Sequence, residues 1–158
     1  MRRTFKAELH KQMTINTDIV LIVLDLGYGM FDQIRKDYPK RFFNLGASEQ
    51  AGMDIAVGMA LSGKKVFIYS ITPFLIYRAF ETLRTYVDHE KIPVRLVGSG
   101  RNKDYEIDGF SHDASDLIPI LNKLSNITQY FPSDKNEIPL LVEKMVATNQ
   151  PQFISLKR

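Results

Sequence analysis

Six short apolar runs, separated by longer stretches of helical period, restrict what this chain can fold into. The runs lie at 19–24, 41–44, 66–69, 94–97, 127–131 and 153–156. IVLIVL at 19–24 has no polar residue in it, as expected of a strand covered on both faces. Between the runs, spacing predicts helices over 30–38, over 48–61 (closed by Gly63), from 73 to about 89, a shorter one after Asp113, and one over 134–148. Parallel strands need crossovers of this length. The expected fold is therefore α/β: a single three-layer domain with a six-stranded, mainly parallel sheet and helices on both faces. No repeat or low-complexity tract divides the 158 residues, so 1–158 is read as one domain.

Composition then narrows the chemistry. The chain has no cysteine, which removes disulfides, thiolate metal sites and cysteine nucleophiles. Its formal charge of +3 comes from small scattered basic groups without interleaved aromatics, so no nucleic-acid partner is expected. MRRTFKAELHKQM at the start is charged throughout, and no apolar stretch approaches the length of a bilayer span. A cytoplasmic protein without a membrane partner is the expectation.

In an open parallel sheet, ligands collect beyond the carboxyl ends of the strands, and three loops there carry candidate residues. The first, Asn44 to Gln50, places Glu49 in the first turn of a helix, where the macrodipole alone would favour an acid. That helix carries Gly52, Ala56 and Ala60 on one face, which marks it as an interface helix open to close approach by another. The second, Ser70 to Arg78, offers Thr72 as N-cap, Pro73 as first helical residue, and Phe74 one turn before Tyr77 or Arg78. Phe74 could stack on a flat heterocycle or serve as ordinary core. The third, Gly98 to Asp113, is long and polar, with Arg101 and His112.

From about Arg41 to the C-terminus, these loops resemble the pyrimidine-binding domain of the thiamine-diphosphate-dependent transketolase and deoxyxylulose-phosphate synthase family. The matching stretches are Gly46-Ala47-Ser48-Glu49-Gln50, Tyr69-Ser70-Ile71-Thr72-Pro73-Phe74 with Tyr77-Arg78-Ala79-Phe80-Glu81, Asp108-Gly109-Phe110-Ser111-His112, and Phe131-Pro132-Ser133-Asp134-Lys135-Asn136-Glu137. The resemblance implies that Glu49 hydrogen-bonds a ring nitrogen of the cofactor's aminopyrimidine, that Phe74 stacks on that ring with Tyr77 nearby, and that His112 lies near the reacting carbon. Glu49 would favour the imino form of the pyrimidine, whose exocyclic nitrogen removes the thiazolium proton. Glu49 and His112 are thus the expected catalytic residues. Arg101 and Arg78 are candidates for a substrate phosphate, because a guanidinium fork suits that anion.

The family's diphosphate-binding domain, with its Gly-Asp-Gly motif and later Asn, has no counterpart here, since Ile107 precedes Asp108-Gly109. Its C-terminal domain is likewise not seen. The resemblance implies a stand-alone subunit that shares thiamine diphosphate with a diphosphate-domain partner chain carrying Mg2+ or Ca2+. The expected assembly is a homodimer alone and a heterotetramer with that partner. The expected reaction is transfer of a two-carbon ketol unit between sugars or sugar phosphates. A deoxyxylulose-phosphate-synthase-like reaction and a non-catalytic assembly module are the alternatives. Ser111 stands where the family has Thr and Asp113 where it has Gln, which leaves the acceptor open.

Overall fold

The computed structural model describes all residues, Met1–Arg158. Its strands are β1 (Ile19–Val23), β2 (Phe42–Asn44), β3 (Lys65–Ile71), β4 (Arg95–Ser99), β5 (Thr128–Tyr130) and β6 (Gln152–Leu156). They form one sheet in the order β2-β1-β3-β4-β6-β5, with every pair parallel. All fall on the apolar runs. Val20 pairs with Val66 and Ile22 with Ile68. Along 19–24, Val20, Ile22 and Leu24 enter one core while Ile19, Leu21 and Val23 enter the other. Both faces are buried, which is why the run carries no polar alternation.

The helices are α1 (Arg2–Ile15), α2 (Asp32–Asp37), α3 (Glu49–Leu61), α4 (Thr72–Tyr77), α5 (Phe80–Thr82), α6 (Leu117–Leu121) and α7 (Ile138–Ala147). One core is closed by residues of α3, α4 and α6, the other by α1, α2 and α7. No helix is long and apolar enough to cross a membrane. Helix α1 is absent from the elements expected from the sequence. Phe5, Leu9 and Met13, four residues apart and fully buried, form its inner stripe, and the charges between them mask it.

Three further expectations change. The helix expected over 73–89 is broken: α4 stops at Tyr77, α5 is one short turn, and Leu83–His89 is π-helical. The wider turn lets Leu83, Val87 and Asp88 all face inward. Thr72 is not an N-cap, because β3 runs on to Ile71, which takes that position. The Thr72 hydroxyl instead donates to the Gly100 carbonyl at 2.5 Å, stitching the start of α4 to the end of β4. Gly98 permits this, since a Cβ there would lie 2.6 Å from Thr72 Oγ1.

The third change concerns Gly52, Ala56 and Ala60. Their face is used up inside the chain. A Cβ on Gly52 would lie 2.5 Å from Leu24 Cδ2, and Ala56 and Ala60 are buried among Val20, Ile22 and Ile68. Small residues here let α3 sit close on its own sheet rather than on another helix. The face of α3 that remains open carries Ala51, Ile55 and Gly58.

At the opposite end of the sheet, β4 buries Arg95 completely, with no carboxylate beside it. Its Nε donates to Met145 O (2.7 Å), Nη1 to Pro93 O (2.7 Å) and Nη2 to Thr148 O (2.8 Å). Two of these carbonyls end α7, where a helix lacks internal donors and carries partial negative charge. Burial pulls the guanidinium down to about 10.

Candidate functional site

The chain turns through Gly46, at φ +67, before entering α3. That backbone conformation favours glycine and delivers Glu49 to the carboxyl edge of the sheet. Glu49 is only 4% exposed, and its partner is more than a helix dipole. Arg78 Nη1 donates to Glu49 Oε1 at 2.8 Å. The Arg78 guanidinium carbon also lies 3.6 Å from the centre of the Phe74 ring, one turn earlier. Phe74 in turn meets the His112 ring edge-on, with centroids 4.8 Å apart at 64°. Glu49, Arg78, Phe74 and His112 thus form an unbroken series of contacts drawn from the loops after β2, β3 and β4.

Neighbouring contacts fix the separation of these elements. Gln50 Nε2 donates to Thr82 Oγ1 at 2.6 Å, tying the first turn of α3 to α5. Gly100, at φ +85, leaves no room for a side chain because the Tyr105 ring lies where a Cβ would be. Tyr105 is anchored by Ser99 Oγ at 2.8 Å and by Arg2 Nη1 at 2.9 Å, so α1 braces the third loop. The 3-10 turn Phe110–His112 ends that loop, and His112 Nδ1 meets Ser111 Oγ at 3.0 Å. Nε2 is then the imidazole nitrogen left for a ligand. Beside it, Ile107 and Phe110 are 90% and 86% exposed, an apolar rim on a polar loop.

The other two candidates lie outside this series. The Tyr77 phenol is pushed up to about 12, first by partial burial and then by the neighbouring Asp116. Arg101 is held by Ser155 and Pro132: Nε donates to Ser155 Oγ (3.1 Å), Nη2 to Ser155 O (2.5 Å) and Nη1 to Pro132 O (3.0 Å). Burial lowers its guanidinium as well. The Glu49–Arg78 pair is the feature that sequence reasoning missed. The spacing of Phe74 and Arg78, one helical turn, was the available signal for their stacking.

The residues fit an aminopyrimidine. A planar N–H-bearing group already fits between Phe74 and Glu49, namely the Arg78 guanidinium itself. No group of three or more His, Asp or Glu is placed to hold a metal ion. A cavity of about 600 Å³ lies elsewhere, between α1 and the loop after β1, with Arg2, Arg3 and Lys6 on its wall. It includes none of Glu49, Phe74, Arg78 or His112.

Comparison with known proteins agrees with this fold. The family model of the transketolase pyrimidine-binding domain matches residues 1–158. A putative transketolase C-terminal section from Methanocaldococcus jannaschii is 30% identical over 141 residues, 87% of this chain and 45% of that protein. A subunit of the apulose-4-phosphate transketolase of Actinobacillus succinogenes is 31% identical over 121 residues, 77% of this chain and 39% of that protein. A solved structure described as a split gene transketolase, inactive beta4 tetramer, superposes with a TM-score of 0.87 at 27% identity, covering 99% of this chain and 50% of the other. The chain spans half or less of the length of these relatives. With the family model matched from end to end and the same strand and loop framework recovered, the chain belongs to the transketolase pyrimidine-binding domain family.

Proposed function

We propose that this chain is the pyrimidine-binding subunit of a split thiamine-diphosphate-dependent transferase, moving a two-carbon ketol unit between sugars or sugar phosphates. The observation that carries this is a buried carboxylate, Glu49, set one planar group away from an aromatic face, Phe74, with His112 against the same ring. When bound, thiamine diphosphate supplies an acidic thiazolium carbon and an electron sink for cleaving a bond beside a carbonyl. Phe74 would hold the pyrimidine by stacking, and Glu49 would share a proton with its ring nitrogen. Burial of Glu49 shields that hydrogen bond from water. His112 would meet the substrate through Nε2, and Tyr77 would border the ring site. Two of the five Arg101 N–H groups are uncommitted, and with Arg78 they are the cations available to a substrate phosphate.

The diphosphate and its Mg2+ or Ca2+ are assigned to a partner chain with the complementary domain. The exposed Ile107 and Phe110 beside His112 support a partner that covers this rim. The relatives named as a transketolase subunit and as a split gene product point the same way. We assign a homodimer to the chain alone and a heterotetramer to the complex, with association through the open Ala51, Ile55 and Gly58 face of α3. Nothing in a cysteine-free chain calls for an oxidising compartment, and we place it in the cytoplasm.

The test is exchange of the thiazolium C2 proton with deuterium in the assembled complex. Glu49→Gln should slow exchange by about 10²- to 10⁴-fold while leaving assembly unchanged. Phe74→Ala should weaken cofactor binding through lost stacking. Equal exchange rates in wild type and Glu49→Gln would remove Glu49 from the chemistry.

A further inference from the structure

We propose that Arg78 is a built-in occupant of the ring site: in the chain by itself its guanidinium fills the place of the aminopyrimidine and must swing out before the ring can bind. The proposal rests on the assignment of Glu49 and Phe74 as the ring's partners. A bound ring would use two contacts here, a flat face on Phe74 and an N–H directed at Glu49. Arg78 makes both with one side chain, 3.6 Å over the ring and 2.8 Å from the carboxylate. A guanidinium and a protonated pyrimidine are both planar cations edged with N–H donors, so each satisfies the same surroundings. They cannot share the same face and the same oxygen.

Arg78 is also placed to leave. Its side chain is 45% exposed, and its one side-chain hydrogen bond is to Glu49. It sits at the C-cap of α4, beyond the buried Leu75 and Ile76, so rotation about its own side-chain bonds moves the guanidinium without disturbing the core. Its place one helical turn after Phe74, with its own N–H bonded to the Phe74 carbonyl, is what sets it over that ring. While in place, Arg78 neutralises Glu49 and keeps the slot open at the width of one planar group. The cost falls on affinity: a site occupied by its own side chain binds ligand more weakly in proportion to the fraction of open molecules. An ion pair and a cation–π contact together imply roughly a tenfold penalty. Closure would weaken the solitary subunit's hold on cofactor, and contacts from the diphosphate-domain chain would then shift the population toward the open form.

The experiment uses the isolated full chain with arginine labelled by ¹⁵N and ¹³C, and 4-amino-5-hydroxymethyl-2-methylpyrimidine as the probe. This compound carries the ring without thiazolium or diphosphate. The Arg78 side-chain resonances should be displaced upfield by the Phe74 ring current, relax to ordinary values in Phe74→Leu, and do the same in wild type as the probe saturates. Arg78→Gln and Arg78→Ala should bind the probe about tenfold more tightly than wild type. An ordinary Arg78 spectrum in the free chain, a displaced one that persists at saturation, or equal probe affinity in wild type and both variants would each overturn the proposal. If the assembled complex meanwhile loses thiamine diphosphate in Phe74→Ala, the ring assignment stands and only the occupancy of the slot by Arg78 fails. If cofactor binding by the complex ignores both Phe74→Ala and Glu49→Gln, the ring assignment fails and takes this proposal with it.

Discussion

Arg95 and Arg78 lie at opposite ends of one fold and show two ways of giving a guanidinium its partners. Arg95 is fully buried, has no acid near it, and is satisfied by three backbone carbonyls. Arg78 is half-exposed and is satisfied by two side chains, a carboxylate and an aromatic ring. Backbone carbonyls cannot move without unfolding the element that carries them, so Arg95 is part of the scaffold. Side chains can be offered another partner, so Arg78 can be exchanged for a ligand. Arg101, bound to Pro132 and Ser155 carbonyls, stands closer to Arg95 in kind, although the sequence pairs it with Arg78 as a phosphate candidate.

That contrast can be broken by experiment. Arg95→Met, which keeps bulk but removes every donor, should cost roughly 3 kcal/mol by chemical denaturation, since it leaves buried carbonyls at the end of α7 unpaired. Arg78→Met should cost about 1 kcal/mol, because water reaches Glu49 once the guanidinium is gone. Equal losses in the two variants would mean that both arginines are scaffold. A second comparison sets the two faces of α3 against each other. Ala56→Leu adds bulk against the chain's own sheet and should lower stability by about 1–3 kcal/mol. Gly58→Arg on the open face should change stability by less than about 1 kcal/mol while weakening self-association in sedimentation velocity. Weakened association in Ala56→Leu at unchanged stability would return the interface to the small-residue face.

The smallest effect expected is at the start of α7. Glu137 accepts hydrogen bonds from Asp134 N (2.7 Å), Ser133 Oγ and Ser133 N, and these hold its carboxyl below its usual value of 4.5. A carboxyl lowered in the folded state adds stability above the unfolded value and loses it as pH falls through the folded one. Glu137→Gln should therefore flatten the acid side of the stability curve below about pH 4.5 and change little at pH 7. An unchanged acid limb would show that these exposed hydrogen bonds exchange freely with water.

Much of the fold was legible because a parallel sheet leaves a local record. Strands buried on both faces are largely apolar, and each of the six runs became a strand. Helix α1 was harder to see: Phe5, Leu9 and Met13 form its apolar stripe, but the charges between them hide it. The break after Tyr77 was not legible. LIYRAFETLRTYV has unbroken helical character, whereas the π-helical turn brings Leu83 and Val87 into the core and the Asp88 carboxylate to Asn126 N.

The site divides along the same line. Sequence alone determined much of what reaches the carboxyl edge, because a strand end and a helix start fix the places of Glu49 and Phe74, while His112 comes at the end of a long loop that tertiary contacts position. It could not determine what each one touches there. Gly52, Ala56 and Ala60 announce a close approach in any setting, and only the packed sheet shows that Leu24 and its neighbours, rather than a second helix, are what approach. The pairing of Arg78 with Glu49 joins residues 29 positions apart across two helices, so it depends on the crossing of α3 and α4 over the sheet. Periodicity records burial, a property of one residue and its local element, whereas partnership belongs to pairs that tertiary packing alone brings within 3 Å.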